Sequence, residues 1–147
     1  NLGSTLHVLG RLQEALALEQ DVLERRRRLL GEDHPDTLTA AGNLGSTLHV
    51  LGRLQEALAL EQDVLERRRR LLGKDHPDTW RASLNLGITL LDLNRLFDAR
   101  RLVEHSWKGL RDRLGARHPD ALRAAQARRR VAEAMGGNKA PAMRRRR

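Results

Sequence analysis

The sequence predicts an all-α fold built from stacked helix pairs, and three observations support that prediction. Residues Asn1–Gly31 return unchanged at Asn43–Gly73, and a looser copy begins at Asn85, so the copies start 42 residues apart. A regular period of this length is typical of a stacked repeat array. Within each copy the apolar residues recur at helical spacing. Gly or Asn follows each expected helix and Pro opens the later ones, which are helix stop and start signals.

These signals predict about seven helical segments in the chain, with no strand. They are a partial helix over 1–9, a long helix over about 12–30, two complete helix pairs and a closing helix. We expect Gly10 to end the first segment, because glycine adopts the left-handed conformation without steric cost. The equivalent turns fall at Gly52 and Asn94, and the long helices end at Gly31, Gly73 and Gly115. The short connections predict antiparallel neighbours.

The expected domain organisation follows these boundaries. The repeat array covers 1–135, with a partial first repeat at 1–34, helix pairs at 35–76 and 77–118, and a closing helix at 119–135. Residues 136–147 form a basic tail that we expect to be disordered, since its last eight residues show no periodicity. The sequence opens on Asn1 and not on Met, so we expect the chain to be cut from a longer array.

Composition excludes several classes of protein. The chain has no cysteine, so disulfides and thiolate metal sites are excluded. It has no run of 18 or more apolar residues and no signal-peptide pattern at its start, so we expect no membrane span and a cytoplasmic location. The net charge of +9 comes in large part from the tail, which carries Lys139 and the four residues Arg144–Arg147.

The arginine clusters leave nucleic-acid binding open as an alternative function. Basic surfaces can attract nucleic acid. However, the only aromatic residues able to stack on bases are Phe97, Trp80 and Trp107, and no motif of a known reader is present. Acids such as Asp21 and Glu24 border the first arginine run, which favours an ion-paired, solvated helix surface.

The candidate chemical groups favour structural roles. His34, His76 and His118 each precede a Pro at an expected helix start, which favours helix capping over metal binding. The chain has no Gly-rich phosphate loop, and no nucleophile, base and orienting group can be assembled from one spacing pattern. We therefore expect no enzymatic activity, no cofactor and no metal site.

Four positions depart from the repeat pattern. Glu19 and Glu61 interrupt the apolar stripe of their helices, where the third copy has Val103. Trp107 stands where Leu23 and Leu65 stand in the earlier copies, which favours packing. Trp80 has the same interpretation, with a binding hot spot as the sharper alternative.

The repeated motifs carry a resemblance to a known family. The residues that carry it are Asn43-Leu44-Gly45, Gly52-Arg53-Leu54, Glu56-Ala57, Leu72-Gly73 and Asp75-His76-Pro77-Asp78-Thr79. They resemble the 42-residue tetratricopeptide repeat (TPR) of kinesin light chains, which also occurs in bacterial proteins behind signalling NTPase modules. The resemblance covers residues 1 to about 135. It implies helix pairs A and B that stack into a right-handed superhelix, with the A helices lining a concave groove for peptides or partner domains.

By this resemblance, the groove side chains come from successive A helices. They are Thr39, Asn43, Ser46 and His49, then Arg81, Asn85, Ile88 and Asp92, then Arg123 and Arg130, with Asn1, Ser4 and His7 extending the line. Some members of the family clamp a C-terminal carboxylate between Asn and basic residues. Here the second basic position holds Ala127, so the clamp is incomplete and we do not predict it.

The sequence therefore predicts a non-catalytic scaffold that binds a protein or peptide, with some acidic character, in the A-helix groove. A purely structural spacer or oligomerising array is an alternative within binding proteins, and nucleic-acid or polyanion binding through the arginines is the alternative from another class. We also expect weak self-association through the N-terminal end, where Val22, Leu23, Leu29 and Leu30 should lack part of their cover and where Leu2 and Leu6 lie.

Overall fold

A computed structural model describes residues 2–137, which form six α-helices and no strand. The helices are α1 (Leu2–Leu30), α2 (Pro35–Val50), α3 (Leu54–Leu72), α4 (Pro77–Asp92), α5 (Leu96–Leu114) and α6 (Pro119–Gly137). The all-α prediction is confirmed, with six helices in place of about seven. The closing helix runs two residues beyond its expected end. Asn1 and the expected disordered tail from residue 138 onward lie outside the described residues.

The helices divide into two compact units, residues 1–71 and 72–147. In the first unit α1 packs against α2. In the second unit α5 packs against both α4 and α6, and α4 also contacts α6. Connections of three or four residues join successive helices, so within each unit a helix reverses direction close to its predecessor.

The turn predicted at Gly10 is wrong, because α1 continues through it as one helix from Leu2 to Leu30. Gly10 is not among the glycines with positive φ. A turn here would break the helix in order to fold back a segment of only two helical turns. Such a segment buries too little apolar surface to offset the lost helical hydrogen bonds, whereas glycine inside a helix costs only about 1 kcal/mol.

The other predicted turns are confirmed. Gly31, Gly52, Gly73 and Gly115 all have positive φ, between +79° and +98°. Asn94 has φ 61° and replaces glycine in the equivalent turn of the third copy. Asn is one of the few residues that adopt this left-handed conformation readily, since its short side chain can hydrogen-bond locally.

The three repeated histidines cap helices, as their sequence context indicates. The Nδ1 atoms of His34, His76 and His118 each accept a hydrogen bond from the backbone N–H two residues later, at 3.1, 3.0 and 3.1 Å. The Pro that follows each histidine has no N–H. The histidine therefore accepts from the first backbone N–H available in α2, α4 and α6. The imidazole lone pair that a metal would need is thereby engaged.

The packing of α1 against α2 explains why a glutamate, Glu19, lies on the apolar stripe of α1. Leu16 and Leu23 of α1 are buried. Between them, Glu19 Oε1 accepts a hydrogen bond of 2.6 Å from Thr47 Oγ1 of α2. The polar residue on the apolar stripe is therefore paired across the helix contact. Glu61 is also buried, and its Cγ lies 3.1 Å from the point where a Cβ on Gly45 would stand, so α2 and α3 cross closely there.

The core of the second unit is built around fully buried side chains of α4 and α5, including Leu84, Val103 and Leu110. A Cβ on Gly87 would lie 2.8 Å from Val103 Cγ2, so this crossing also requires glycine. Trp80 is buried against Gly109 of α5, which supports the packing interpretation for that tryptophan.

Trp107 is less buried than its predicted role implies. Leu23 and Leu65, at the equivalent positions, are buried, whereas Trp107 is half-buried. Its ring lies between two guanidinium groups, 4.3 Å from that of Arg111 and 3.9 Å from that of Arg128. The indole is too large for a leucine site, and its protruding part is covered by cation–π contacts from α5 and α6.

Identical sequences in the first two copies have different exposure. Leu6 is 60% exposed and Leu48, its equivalent, is 5% exposed, while Val22 is 39% exposed against 6% for Val64. The expected lack of cover is therefore correct for Val22. Leu29 and Leu30 are also exposed, but so are their equivalents Leu71 and Leu72 in the second copy. It is wrong for Leu23, which is buried within the unit where α2 packs on α1.

Candidate partner-binding faces

The side chains predicted to line the groove lie on accessible faces of their helices. In the first unit Thr39, Asn43 and Ser46 are exposed on α2, and His49 is half-buried. Ser4 and His7 are exposed on α1, and Asn1 lies outside the described residues. Residues at i, i+4 and i+7 share one helix face, so Thr39, Asn43 and Ser46 form one polar stripe.

In the second unit, the predicted residues of α4 and α6 are brought together in three cross-helix contacts. Arg81 Nε donates to Asp120 Oδ2 at 2.6 Å, and Arg123 Nη2 donates to Asn85 Oδ1 at 2.6 Å. Arg130 Nη2 donates to Asp92 Oδ1. These contacts follow one another along the two helices and define the α4–α6 face.

The charges of this face are largely balanced from within. Arg81 also donates through Nη1 to Asp78 Oδ1 at 2.7 Å. The hydrogen bond with Asp120, helped by the charge of Asp78, raises the pKa of the Arg81 guanidinium above its usual range. Arg130 has Asp92 as its partner. The face is therefore a paired polar surface and not a uniformly basic one.

Asn85 retains hydrogen-bonding capacity on this face. Its Oδ1 accepts from Arg123, and the structure shows no acceptor for its side-chain NH2 among residues 2–137. An amide NH2 can donate two hydrogen bonds. Ile88, half-buried on the same helix, adds an apolar contact one turn further on. Together they provide a donor and an apolar surface side by side.

The position of the second basic residue in the family's carboxylate clamp holds Ala127. Ala127 is itself buried, so no side chain from that position reaches the α4–α6 face. Arg123 is present, but it donates to the Asn85 oxygen. Position 127 therefore supplies no second cation to this face.

A second feature of this unit was not found by sequence reasoning. An open cleft of about 440 Å³ lies over Trp80, lined by Asp75, Trp80, His105, Lys108, Gly109, Asp112 and Arg113. The signal that could have found it is a comparison of copies at the 42-residue offset. Arg67 of the second copy becomes Gly109, while Leu38 becomes Trp80.

Residues 2–137 contain no group of three or more His, Asp or Glu side chains arranged to hold a metal ion. Within the same residues, no helix combines the length and the hydrophobicity needed to cross a membrane.

Comparison with known proteins agrees with the helix pairs and their period. These features define a helical repeat protein, and a family model described as tetratricopeptide repeat matches residues 1–70 and 47–112. The matches cover most of the chain. The chain therefore belongs to the tetratricopeptide repeat family. No curated protein matches it.

Solved structures share the fold. A kinesin light chain-like protein from Podosopora anserina with nearly identical TPR-like repeats has a TM-score of 0.80 at 24% identity, over 92% of this chain and 64% of that one. BtubC (BKLC) from P. vanneervenii has a TM-score of 0.73 at 19% identity, over 86% of this chain and 51% of that one. The chain thus spans less than two thirds of either protein's length. At these identities the comparison shows the fold alone, which confirms the predicted TPR repeat fold.

Proposed function

We propose that this chain is a non-catalytic interaction scaffold, which binds a peptide or partner protein through the exposed faces of its A helices. The observation that carries the proposal is the α4–α6 face, where a row of exposed and half-buried polar side chains from two helices lies beside Ile88. Tetratricopeptide repeats generally mediate protein–protein interaction, and the family is shown here. The stripe of Thr39, Asn43 and Ser46 on α2 provides a similar face in the first unit.

The contacts indicate what such a partner would offer. The spare NH2 of Asn85 suits a peptide carbonyl, and Arg123 pairs with a neutral amide oxygen that an acidic side chain could displace. A carboxylate that replaces the Asn85 oxygen would form a charge-assisted hydrogen bond, which is about twice as strong as a neutral one. The proposed partner is therefore an extended or helical segment with some acidic residues.

The test starts from peptides selected against the parent protein from a displayed random library. Binding of the selected peptides is then compared between the parent and the Asn85→Ala, Arg123→Ala double variant. We expect affinity to fall about tenfold or more, since a charge-assisted hydrogen bond and a donor to the backbone are both removed. Melting by circular dichroism checks that the variant remains folded.

A matched control removes one cation from another helix. Arg101 lies on α5 with its side chain 82% exposed and only a distant ion pair, 3.8 Å from Asp98. Arg101→Ala makes the same change in net charge and should leave peptide affinity unchanged. Selected peptides that bind the double variant as tightly as the parent would show that the α4–α6 face is not the binding site.

The competing function is attraction of nucleic acid or other polyanions through arginine. Several arginines in the first unit are committed to acids. Arg67 Nη1 and Arg70 Nη2 lie 2.7 and 2.9 Å from Asp33 Oδ1. Arg25 Nε is 3.3 Å from Asp21. These pairs reduce the positive potential that a phosphate backbone would meet.

Deletion of Gly136–Arg147 separates the two functions. The tail carries five of the 28 basic residues, so we expect its removal to abolish weak, salt-sensitive binding to heparin or single-stranded DNA. Helicity and melting should not change, and binding of the selected peptides should persist. Tight nucleic-acid binding by the deletion variant would favour the competing function.

A further inference from the structure

The ion-pair network of the second copy gives a reference for the cleft over Trp80. Arg67 on α3 donates through Nη1 to Asp33 Oδ1 at 2.7 Å, and through Nε to Asp63 at 3.0 and 3.1 Å. Arg70 donates to the same Asp33 oxygen at 2.9 Å. These hydrogen bonds raise the pKa of Arg67 and lower that of Asp33. In the first unit, position 67 on α3 therefore holds a guanidinium group that is surrounded by carboxylates.

The equivalent position in the second unit has no side chain at all. Gly109 stands where the second copy has Arg67, and Trp80 stands at the position equivalent to Leu38. The two changes belong together, since a Cβ on Gly109 would lie 2.2 Å from Trp80 Cε2. The indole lies against the bare α5 backbone and is 6% exposed. Above it, an open cleft of about 440 Å³ remains where the second copy has its guanidinium network.

The side chains around the position also differ between the two copies. His105 stands for Asp63, Lys108 for Glu66 and Arg113 for Leu71, and all three line the cleft. Asp112 stands for Arg70. Its Oδ1 is engaged by Arg111, whose Nε and Nη2 lie at 3.1 and 3.0 Å. The copy that lost the central cation has therefore gained basic groups around the empty position.

The uncommitted groups of the cleft are mostly donors. Among residues 2–137, neither Lys108 nor Arg113 has a hydrogen-bond or ion-pair partner in the structure, and the buried Trp80 Nε1–H has no acceptor. Two acids also line the cleft, Asp112 and Asp75, and Arg111 engages Asp112. Asp75 Oδ1 is 3.8 Å from His105 Nε2, and the Asp75 side chain is 67% exposed, so solvent screens it. An apolar floor with unpaired donors at its rim suits a side chain that ends in a carboxylate.

We propose that the cleft over Trp80 binds an acidic side chain of a partner protein, with its methylene groups on the indole and its carboxylate between Lys108 and Arg113. This site lies on the α4–α5 contact and is separate from the α4–α6 face, so it stands whether or not that face binds peptides. It would give the scaffold a second point of attachment, and two linked contacts strengthen binding without either being strong alone.

The indole N–H signals of the folded chain provide the readout. Trp80 and Trp107 are the only tryptophans, so a ¹⁵N–¹H spectrum contains two indole signals, which a Trp107→Phe variant assigns. The probes are three blocked tripeptides, acetyl-Ala-Glu-Ala-amide, its neutral glutamine isostere and the arginine analogue, each at constant ionic strength. We expect a saturable shift of the Trp80 signal with the glutamate peptide and a response about tenfold weaker with the other two.

Three variants test which charged side chains of the cleft contact the carboxylate of the peptide. Lys108→Glu restores the residue found in the second copy and should weaken the glutamate peptide about tenfold. Arg101→Glu, with the same change of charge at an exposed site elsewhere on α5, should leave it unchanged. Asp75→Asn removes the opposing charge and should leave binding equal or tighter.

The proposal is overturned by any of four results. These are a Trp80 signal that does not move, equal responses to glutamate and glutamine peptides, tighter binding of the arginine peptide, and weaker glutamate binding by Asp75→Asn. Lys108→Glu should not affect peptides selected for the α4–α6 face. If Lys108→Glu weakens those peptides but leaves the Trp80 response to the glutamate peptide unchanged, Lys108 contributes to the α4–α6 face and not to this cleft.

Discussion

The contact between Gly109 and Trp80 allows a sharp test of how α4 and α5 pack. Replacing Gly109 with alanine would place a Cβ 2.2 Å from Trp80 Cε2 and 2.5 Å from two further indole atoms. These distances are far below van der Waals contact. Trp80 is 6% exposed and its ring is rigid, so the indole cannot move aside without disturbing the surrounding core.

The expected cost follows from two opposing effects. Overpacking a well-filled core destabilises by about 1–3 kcal/mol, and the short distance here places Gly109→Ala near the upper value. Alanine in a helix interior is more stable than glycine by about 1 kcal/mol. The free energy of unfolding should therefore fall by about 2 kcal/mol.

A double-mutant cycle isolates the contact. Trp80→Leu introduces the residue of the equivalent position, Leu38, and removes the indole atoms that a Cβ at 109 would meet, so alanine at 109 should then fit. In that background Gly109→Ala should stabilise by about 1 kcal/mol, which gives a coupling energy of about 3 kcal/mol. The assay is urea unfolding followed by Trp107 fluorescence and circular dichroism.

Gly42→Ala is the matched control, because Gly42 is helical and no atom lies within 4 Å of the point where its Cβ would stand. It should stabilise by up to about 1 kcal/mol. If Gly109→Ala stabilises the parent as much as Gly42→Ala does, the indole is not held against α5 and the packing described here is wrong.

Three further predictions follow from particular contacts. Thr79→Val removes the 2.7 Å hydrogen bond to the Gly73 carbonyl and should lower the free energy of unfolding by about 1 kcal/mol. Thr37→Val removes a buried hydroxyl that has no partner in the structure, so it should be neutral or stabilising. Urea unfolding compares the two variants, and the reverse order of stability would contradict this reasoning. Hydrogen bonds from two arginines lower the pKa of Asp33, so its contribution to stability is present above about pH 4 and is lost as the pH falls through its folded-state pKa. Asp33→Asn should therefore flatten the acid limb of the stability profile, and an unchanged limb would show that the pairs contribute nothing. Leu6→Ser should reduce weak, concentration-dependent self-association in sedimentation velocity, because Leu6 is 60% exposed; a parent chain that is monomeric at every concentration would remove that expectation.

The boundaries of the later helices could be predicted from the sequence because local chemistry determines them. A glycine or asparagine at positive φ needs no tertiary partner to end a helix, as Gly52 and Asn94 show. A histidine before proline can cap the helix that follows, as His76 does. Such features recur with the 42-residue period, so each copy supports the interpretation of the others.

The cleft and the cross-helix pairs could not be predicted in the same way, because they depend on which side chains meet between helices. Arg81 and Asp120 are 39 residues apart in the chain, and their 2.6 Å contact exists only because α4 and α6 lie side by side. The pairing of Trp80 with Gly109 has the same origin. Sequence reasoning placed Arg81, Asn85 and the other candidate residues on accessible faces, but it did not show which charges would neutralise each other.

The two copies of one 31-residue sequence show where local information ends. In the second copy Gly52 has φ +79° and the chain turns, whereas in the first copy the same sequence continues as a helix through Gly10. The local sequence cannot distinguish these outcomes, since it is identical. What differs is the stretch that precedes the second copy, 35–42, in which Thr37 and Leu38 are buried. That stretch lengthens the helix ahead of Gly52 to sixteen residues, enough to bury an apolar face when it folds back on α3. The glycine permits a turn, and the buried surface gained on either side of it decides whether the turn forms.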